Sequence, residues 1–332
     1  MRGMKKIGVR EVASHARVSV ATVSRVLADS GYPVAKATRE RVLASVAQLG
    51  FVPDLVAKTF ATSRTNTIGV AVPVLNTYYA KMLMGIESEA TRNGLSILLS
   101  IVGNDHDRRE AAIDQFLGRR LDGMVVCSGA GDGAMDRGPD IIGIPTVVIG
   151  QQPDAGFVSV TVDNHAAGYL ATGHLIERGH REIIMLTGNS GWFDFRDRRA
   201  GFEARLREQG QDYTGRVIEG AFNEADAYRI VRHLMEEGTS ATAILAATDR
   251  QALGALAALT DLEVAMPERM AVVGFDNLPT SEFLRPSLTS VDMPADRMGA
   301  LAIRMIRDFI GPDEIRLVSQ ILEPRLVVRK SS

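Results

Sequence analysis

The segment Val18–Leu27, VSVATVSRVL, combines an apolar face with side chains that can contact a polyanion. Helical spacing places Val23, Val26 and Leu27 on one side of it, where they can pack against a core. The opposite side carries hydroxyl and methyl groups and one guanidinium, on Ser19, Val20, Ala21, Thr22, Ser24 and Arg25. Arginine can donate two hydrogen bonds to a guanine, methyl groups can contact a thymine methyl, and hydroxyls suit phosphate oxygens. These residue types predict contact with the major groove of double-stranded DNA.

Neighbouring elements must pack against the apolar side of this segment. A first helix is predicted over Val9–His15, a short connection follows, and Ser19 can cap the second helix. A third helix is predicted over Thr38–Leu49, with Gly50 as its stop. Its apolar positions are Val42, Leu43, Val46 and Leu49. Two helices joined by a tight turn and braced by a third form a helix-turn-helix. A purely structural three-helix unit is the alternative that spacing alone leaves open.

Charge is distributed unevenly along the 332 residues. Residues 1–64 have a net charge of +7, and the remainder of the chain has −9. The basic charge of residues 1–64, beside the acidic remainder, indicates that this segment binds a polyanion. The alternative is that residues 1–64 simply form a solvated basic surface. The single cysteine, Cys127, excludes a disulfide framework within the chain. No signal-peptide pattern is present, and no apolar run approaches the ~18 residues of a membrane span, so we expect a cytoplasmic protein.

From Thr67 onward, short apolar runs alternate with helical stretches. Strands are expected at residues 67–75, 95–102, 121–128, 144–150, 182–188, 213–220, 242–248 and 270–276. Helices are expected at residues 79–94, 108–120, 164–178, 198–209, 224–237 and 249–259. This alternation predicts an α/β fold with two doubly wound parallel sheets in tandem. Ligands bind beyond the carboxyl ends of such strands, so the natural site is the cleft between the two halves.

Several residues near the ends of these strands suit a small ligand. Asn76 and Tyr78 follow the first strand, and Asp276 follows the strand VVGF. Trp192 and Phe195, in GWFDF, are expected near the cleft as a lid or a stacking wall. Carboxylates form directional hydrogen bonds to hydroxyl groups, and aromatic faces accept the apolar C–H patches of sugars. A purely structural role is the alternative for each of them.

Three short motifs resemble the DNA-binding headpiece of the lactose/galactose-repressor (LacI/GalR) family. They are V-S-x-x-T-V-S-R-V at Val18–Val26, T-R-E-R-V at Thr38–Val42 and L-G-F-x-P at Leu49–Pro53. In the body, further landmarks of the same family are similar to residues 162–183, 198–206, 248–256 and 272–291. The resemblance runs over nearly the whole chain. It implies a transcription regulator with a helix-turn-helix headpiece and a core like that of periplasmic sugar-binding proteins.

The resemblance also implies where the chain divides. The headpiece is expected at residues 1–53, and a hinge helix with its linker at residues 54–66. The N-terminal core subdomain is expected at 67–162 with 291–311, and the C-terminal core subdomain at 163–290 with 312–332. The chain would then cross between the subdomains three times, near Asp163, Ser290 and Gly311.

The family's ligand-binding positions carry over to particular residues of this chain. Arg198 matches a ligand-binding arginine, Asp249 a carboxylate that accepts ligand hydroxyls, and Phe222 an aromatic residue that stacks on a sugar ring. Arg198 and Asp249 could instead form a structural pair, and Phe222 could be part of the core. Where many members have an acid, this chain has Gln151, so the effector need not be the usual neutral hexose. We expect a sugar, a sugar acid or a related metabolite.

Two headpiece positions depart from the family pattern. Arg17 stands in a turn that usually contains glycine, a residue that accepts positive φ without penalty. Ala35 stands where a serine usually caps the third helix. Both departures concern the stability of the headpiece rather than its fold.

The linker Pro53–Ala61 departs in two further positions. Asp54 replaces the asparagine that usually begins the hinge helix, and Phe60 replaces the leucine that enters the minor groove. A phenylalanine can act as such a wedge between base pairs, the alternative being a loop aromatic that packs on the body. Lys58 is expected to contact phosphate.

Other patterns do not support an enzyme. GAGDGA at residues 129–134 resembles part of the phosphate-binding loop of a dehydrogenase, but no apolar helix follows it. His174 and His180 have no third ligand nearby, so neither a metal nor a cofactor is expected. A sugar-binding transport component would need an export signal.

The preferred hypothesis is a homodimeric repressor of a carbohydrate or related metabolite utilisation operon. Its two headpieces would bind a near-palindromic operator, since half-site spacing follows protein symmetry. A small-molecule effector in the cleft would alter the ordering of the hinge, and no membrane partner is expected.

Overall fold

The computed structural model describes residues 7–28, 33–52, 64–127, 138, 142–150, 156–189, 192–310 and 318–332. The chain divides into two compact units, Met1–Thr65 and Asn66–Ser332. The first unit is a helical headpiece, and the second is a core that contains both β-sheets.

Three helices of the headpiece form where the apolar spacing predicts them. They are α1 (Val9–Ala16), α2 (Val20–Ala28) and α3 (Lys36–Leu49). The Ser19 hydroxyl oxygen accepts a hydrogen bond from the backbone N–H of Thr22 at 3.1 Å, which satisfies a donor in the first turn of α2. Gly50 ends α3 in the left-handed conformation, with φ of 59°. The helix-turn-helix prediction is therefore confirmed.

The headpiece has its own small apolar core. Val12, Val23 and Val42, one from each helix, are completely buried in it. Leu43 is 48% exposed, so its predicted core position is wrong. Successive residues of a helix point about 100° apart, and because Val42 and Val46 face the core, Leu43 faces outward.

The turn between α1 and α2 holds a non-glycine residue in a conformation that glycine favours. Arg17 lies in the left-handed region with φ of 49° and ψ of 51°. Its backbone N–H donates to the Ser14 carbonyl at 3.2 Å, and the N–H of Val18 donates to the Ala13 carbonyl at 3.0 Å. These hydrogen bonds close the turn. The Cβ of Arg17 is crowded in the left-handed conformation, and this crowding lowers the stability of the headpiece.

Arg17→Gly should stabilise the headpiece by about 1 kcal/mol, because glycine adopts this conformation without the Cβ penalty. In the full chain, hydrogen exchange of the amides of α1 and α2 should slow by about fivefold. Arg17→Ala is the matched control, since it removes the same side chain but keeps the Cβ. Equal slowing in both variants would show that the side chain, and not the backbone, causes the effect.

The first sheet of the core belongs to the N-terminal subdomain. Its strands are β1 (Thr67–Val72), β2 (Ser96–Ile101), β3 (Gly123–Cys127), β4 (Thr146–Ile149), β5 (Val158–Val162) and β11 (Gln320–Leu322). The order is β2-β1-β3-β4-β5-β11, and every neighbouring pair is parallel. Its helices are α4 (Thr77–Arg92), α5 (His106–Gly118) and α10 (Ala295–Ile310). β3 is buried at every position, as expected for a central strand covered on both faces.

The second sheet belongs to the C-terminal subdomain. Its strands are β6 (Glu182–Leu186), β7 (Thr214–Ile218), β8 (Ala243–Ala246), β9 (Ala271–Phe275), β10 (Thr289–Asp292) and β12 (Arg325–Val327). The order is β7-β6-β8-β9-β10-β12, and only β12 runs antiparallel, against β10. Its helices are α6 (Asn164–Glu177), α7 (Phe193–Gln209), α8 (Glu224–Glu236) and α9 (Asp249–Asp261). The predicted fold class, a helical headpiece with two parallel-sheet subdomains, is confirmed.

The observed strand pairing places two of the three crossings between the subdomains at positions other than the predicted ones. β10 pairs with β9 and extends to Asp292, so the second crossing follows Asp292 rather than Ser290. β11 pairs with β5, whereas β12 pairs with β10. The third crossing therefore lies between Leu322 and Arg325 and not near Gly311. The physical reason is that three residues added to the edge of the first sheet satisfy its open hydrogen-bonding groups.

Glycines bring two pairs of core helices into backbone contact. A Cβ on Gly168 of α6 would overlap the carbonyl oxygen of Arg198 on α7. A Cβ on Gly201 of α7 would overlap the carbonyl oxygen of His165 on α6. The position of Arg198 is therefore set by the close packing of α6 against α7. On the N-terminal subdomain, Gly85 makes the same kind of approach between α4 and α10.

Candidate functional site

Residues of both subdomains line a cavity near the carboxyl ends of their strands, which we call the cleft. The N-terminal subdomain and its crossings contribute Tyr78, Tyr79, Met82, Ile149, Gly150, Thr161, Val162, Met293 and Met298. The C-terminal subdomain contributes Asn164, Asp194 and Arg198. Ligands of doubly wound sheets bind at such a place, beyond the carboxyl ends of the strands.

Arg198 projects from α7 into the cleft and is 4% exposed. Its Nε donates to Asn164 Oδ1 at 2.9 Å, and its Nη1 donates to the Ala247 carbonyl oxygen at 2.6 Å. The guanidinium carbon lies 5.1 Å from the ring centre of Phe275 and 5.8 Å from that of Phe195. Within the described ranges Arg198 has no ion pair shorter than 4.0 Å, so a structural pair with Asp249 is not supported.

Asp249 begins α9 and is held by three protein donors. Its Oδ2 accepts from the backbone N–H of Leu278 at 2.8 Å and from the Ser281 hydroxyl at 2.6 Å. Its Oδ1 accepts from the Ser290 hydroxyl at 2.6 Å. Burial raises the pKa of Asp249 to about 6, although these hydrogen bonds act in the opposite direction. That Asp249 contacts the effector stays a prediction. Its hydrogen bonds with Leu278 and Ser281 connect the start of α9 to the loop after β9.

Two further carboxylates lie near Arg198, one buried and one partly buried. Asp276 follows β9 with φ of 106° and is 6% exposed. Burial raises the pKa of Asp276 well above its ordinary value, and the negative charge of Asp249 raises it further. The positive charge of Arg198 acts in the opposite direction and lowers this pKa. Asp194, in the first turn of α7, accepts from Asn164 Nδ2 at 3.0 Å. Burial also raises the pKa of Asp194, again opposed by Arg198.

Three aromatic rings lie together beside these charged groups, and we call them the aromatic wall. The rings of Trp192 and Phe195 stack with their centres 5.5 Å apart, and the ring of Phe222 lies 5.9 Å from that of Trp192. Phe222 is 54% exposed, so it is not a plain core residue. Exposed ring faces at this position suit an apolar patch of a ligand.

The two residues predicted after the first strand have different surroundings. The Asn76 side-chain oxygen accepts from the backbone N–H of Tyr79 at 3.1 Å and so caps α4. Tyr78 lines the cleft. Burial raises the pKa of the Tyr78 phenol above its usual value, and the charges of Asp276 and Asp194 add to this. The phenol is therefore neutral and offers a hydroxyl to the cleft.

Sequence reasoning missed several lining residues of the cleft. They are Tyr79, Met82, Asn164, Met293 and Met298. Asn164 matters most, because its amide contacts both Arg198 and Asp194. Its position directly after β5 and Asp163 was the available signal, but β5 was not predicted. Gln151 lies outside the described residues.

The headpiece presents the predicted DNA-contacting face of α2 to solvent. Ser19, Val20, Ala21, Ser24 and Arg25 are exposed, and Thr22 is half-buried. Val20 alone is 44% exposed although it is a large apolar residue. Lys58 and Phe60, and with them Asp54, lie outside the described residues.

In the part of the chain that the structure describes, no three His, Cys, Asp or Glu side chains lie together in an arrangement that could hold a metal ion. His174 Nε2 lies 2.9 Å from the Ser332 hydroxyl, and His180 Nδ1 lies 2.9 Å from the Thr242 hydroxyl. The glycine-rich residues 129–134 lie outside the described ranges. None of the described helices combines the length and the apolar character needed to span a bilayer.

A helix-turn-helix headpiece followed by two doubly wound subdomains around a polar cleft defines the class of ligand-responsive DNA-binding regulators. Bacterial regulatory proteins of the lacI family match the chain at residues 9–54, and the periplasmic binding protein-like domain matches residues 172–332. The HTH-type transcriptional repressor PurR of Haemophilus influenzae (strain PittEE) is 33% identical over 331 residues, which cover 97% of this chain and 98% of that protein. The chain belongs to the LacI family of ligand-responsive DNA-binding repressors.

Other similar proteins agree with this assignment. The PurR repressor of Klebsiella pneumoniae (strain 342) is 29% identical, with 97% of this chain and 96% of that protein covered. The structure of the Lac repressor dimer bound to operator and the anti-inducer ONPF has a TM-score of 0.86 at 26% identity, covering 98% and 99% of the two chains. The complex of the transcriptional regulator CelR with cellobiose has a TM-score of 0.72 at 28% identity, covering 98% and 100%.

Proposed function

We propose that the chain is a homodimeric, cytoplasmic repressor of genes for the use of a carbohydrate or a related metabolite. The headpieces of two copies bind the half-sites of a near-palindromic operator. A small effector binds the cleft and changes the ordering of the linker at residues 54–66, and with it the affinity for DNA. A ligand can act in this way only through different affinities for the two states of the protein.

The exposed face of α2 carries the proposal for DNA binding. Val23 and Val26 anchor the helix in the headpiece core, and the opposite face of the helix is exposed to solvent. Arg25 lies on that face one turn from Ala21, which places a guanidinium and a methyl group together. This combination suits the edges of a guanine and a neighbouring thymine in the major groove.

The chemistry of the cleft supports the proposal for an effector. Arg198 and Asp194 line the cleft and supply a donor and an acceptor, and the aromatic wall, whose Phe195 ring lies 5.8 Å from the guanidinium carbon of Arg198, supplies apolar faces. Such a combination fits a small molecule with several hydroxyl groups and an apolar ring face. CelR, which is similar over nearly its whole length, was solved in complex with cellobiose.

The experiment that tests the DNA-binding role uses Arg25→Ala in the full chain. Duplexes selected by the wild-type protein from a random library supply the specific site, and a scrambled duplex supplies the reference. Loss of Arg25 should weaken binding to the selected site by about 10- to 100-fold at fixed salt, with little change on the scrambled duplex. An unchanged ratio of the binding affinities for the two duplexes would show that α2 is not the helix that contacts the bases.

Arg10→Ala is the matched control for this experiment, because Arg10 is an exposed headpiece arginine on α1. It removes the same charge from the same small domain. We expect it to reduce affinity for both duplexes by a similar factor, since phosphate contacts carry no sequence information.

A further inference from the structure

We infer that Arg17, in the turn between α1 and α2, binds a phosphate group of duplex DNA beside the bases that α2 contacts. The inference rests on the proposed function in one respect, since it takes the headpiece as the DNA-binding unit. It adds a phosphate contact that lies outside the proposed base-contacting face of α2. It also explains why an arginine occupies a turn whose backbone disfavours any side chain.

The backbone of Arg17 adopts a conformation that the same headpiece elsewhere gives to a glycine. Arg17 has φ of 49° and ψ of 51°, and Gly50, at the end of α3, has φ of 59° and ψ of 30°. The Cβ of an ordinary residue is crowded in this left-handed region. Strained residues of this kind concentrate at functional sites, where the side chain has a task. The conformation of Arg17 therefore points to a role for its side chain outside the fold.

The guanidinium of Arg17 contributes no contact to the headpiece. Arg17 is exposed, and among the described residues its side chain forms no hydrogen bond and no ion pair within 4.0 Å. Only its backbone is engaged, since its N–H donates to the Ser14 carbonyl at 3.2 Å. Because the side chain does not stabilise the fold, its donors are available to an anion from outside.

A second arginine lies next to Arg17, and we call the two the basic corner. Arg41 of α3 donates through Nε to the carbonyl oxygen of Ala16 at 2.9 Å, directly before Arg17 in the chain. Within the described ranges Arg41 also has no ion pair shorter than 4.0 Å. The basic corner thus holds two positive charges that no described carboxylate neutralises. An anion of the DNA backbone would complement both of them.

The basic corner lies beside the start of the helix that is proposed to contact the bases. Arg17 precedes Ser19 by two residues, and the Ser19 hydroxyl accepts from the backbone N–H of Thr22. Val20 and Ala21, on the proposed DNA face, follow immediately. When this face lies in the major groove, the residues just before it lie near the edge of the groove, where the phosphates are. The long side chain of Arg17 can donate two hydrogen bonds to one phosphate.

A phosphate contact has a signature that a base contact lacks. Phosphates are the same in every sequence, so Arg17 should raise the affinity for all duplexes by a similar factor. Each phosphate contact also releases counterions, which steepens the dependence of affinity on salt. Arg17 should therefore affect the salt dependence, whereas Arg25 should affect the choice of sequence.

Salt titrations of the full chain test this inference. Binding to the selected and the scrambled duplex is measured by fluorescence anisotropy between about 50 and 300 mM KCl. Arg17→Gly should weaken binding to both duplexes by at least about tenfold near 100 mM salt. The slope of log affinity against log salt should become shallower by about 2 for a dimer, or about 1 for each copy. Arg17→Lys keeps the charge and should keep most of the slope.

The glycine variant separates the inferred contact from a purely structural role, because the two predict opposite results. Glycine relieves the backbone at this position, so a purely structural Arg17 predicts equal or tighter DNA binding by Arg17→Gly. Arg17→Ala removes the guanidinium but keeps the Cβ, and it should show the same shallower slope. Arg216→Ala removes an exposed arginine from β7, outside the headpiece, and should leave the slope unaltered.

The outcomes distinguish a failure of the inference from a failure of the proposed function. An Arg17→Gly protein with the affinity and salt slope of the wild-type protein would overturn the inference, while DNA binding by the headpiece would stand. A loss confined to the selected duplex would also overturn it, since Arg17 would then contact a base. A wild-type protein without salt-dependent binding to either duplex would instead overturn the proposed function, and the inference with it.

Discussion

Gly201→Ala is expected to destabilise the core by about 3 kcal/mol or more. The new Cβ would overlap the carbonyl oxygen of His165 and would lie 2.7 Å from the backbone nitrogen of Tyr169. Both atoms belong to the backbone of α6, so no side-chain rotation can relieve the overlap. The two helices would have to separate, and with them the packing that places Arg198 beside Asn164.

Urea unfolding followed by circular dichroism would measure this loss. Gly118→Ala is the matched control, because Gly118 also lies in a helix but its Cβ would meet no atom within 4 Å. Alanine favours helices over glycine by about 1 kcal/mol, so the control should be neutral or slightly stabilising. Similar unfolding midpoints for Gly201→Ala and the wild-type protein would show that α6 and α7 do not pack this closely.

The central strands were predictable because burial on both faces produces continuous apolar runs. β3 and β8 are buried throughout and were found from such runs. β11 and β12 contain three residues each and lie at sheet edges, so they carry no apolar periodicity. Their pairing depends on which sheet offers a free edge, and that is a property of the assembled fold.

The starts of helices near the cleft were less predictable. α7 begins at Phe193, five residues before the predicted start at Arg198. Its first turn includes Asp194, whose polarity hides the helical pattern, because that carboxylate faces Asn164 rather than solvent. Residues that line a site break the amphipathic rule on which helix prediction depends.

The resemblance to the family identified Arg198 and Asp249, and the end of a strand identified Asp276, but the partners of these residues were not predicted. The hydrogen-bond donors to Asp249 come from Leu278, Ser281 and Ser290, far along the chain. Only the folded sheet brings these groups together. The same holds for Asn164, which contacts Arg198 across the α6–α7 packing.

The hydrogen bonds of Asp249 stabilise a loop with unusual backbone geometry. Asp276 and Asn277 both have positive φ, at 106° and 47°. The backbone N–H of Asn277 donates to the Ser290 hydroxyl at 3.0 Å, and that hydroxyl donates to Asp249. A backbone in this region persists only when surrounding contacts hold it. Asp249 thus helps to position Asp276, and its protonation state bears on the stability of the core.

Asp249→Asn is expected to remove a pH-dependent destabilisation of the core. Burial raises the pKa of Asp249 from 3.8 to about 6, so between these values the folded protein holds a proton that the unfolded chain has lost. The contribution of Asp249 to the free energy of unfolding therefore falls as pH rises from about 4 to about 6, by roughly 3 kcal/mol in total. Asparagine does not titrate, and its oxygen can still accept from Leu278 and Ser281.

Urea unfolding of both proteins between pH 4 and pH 7.5 would measure the difference. Distant carboxylates such as Glu89 and Glu224 have lowered pKa values and affect both proteins equally. The charge of Asp249 also raises the pKa of Asp276, so the difference between the two proteins reports on Asp249 together with its effect on Asp276. The variant should gain stability relative to the wild-type protein as pH rises, and the gain should level off above the raised pKa. A difference that stays constant with pH would mean that Asp249 ionises normally, because its three donors then fully offset its burial.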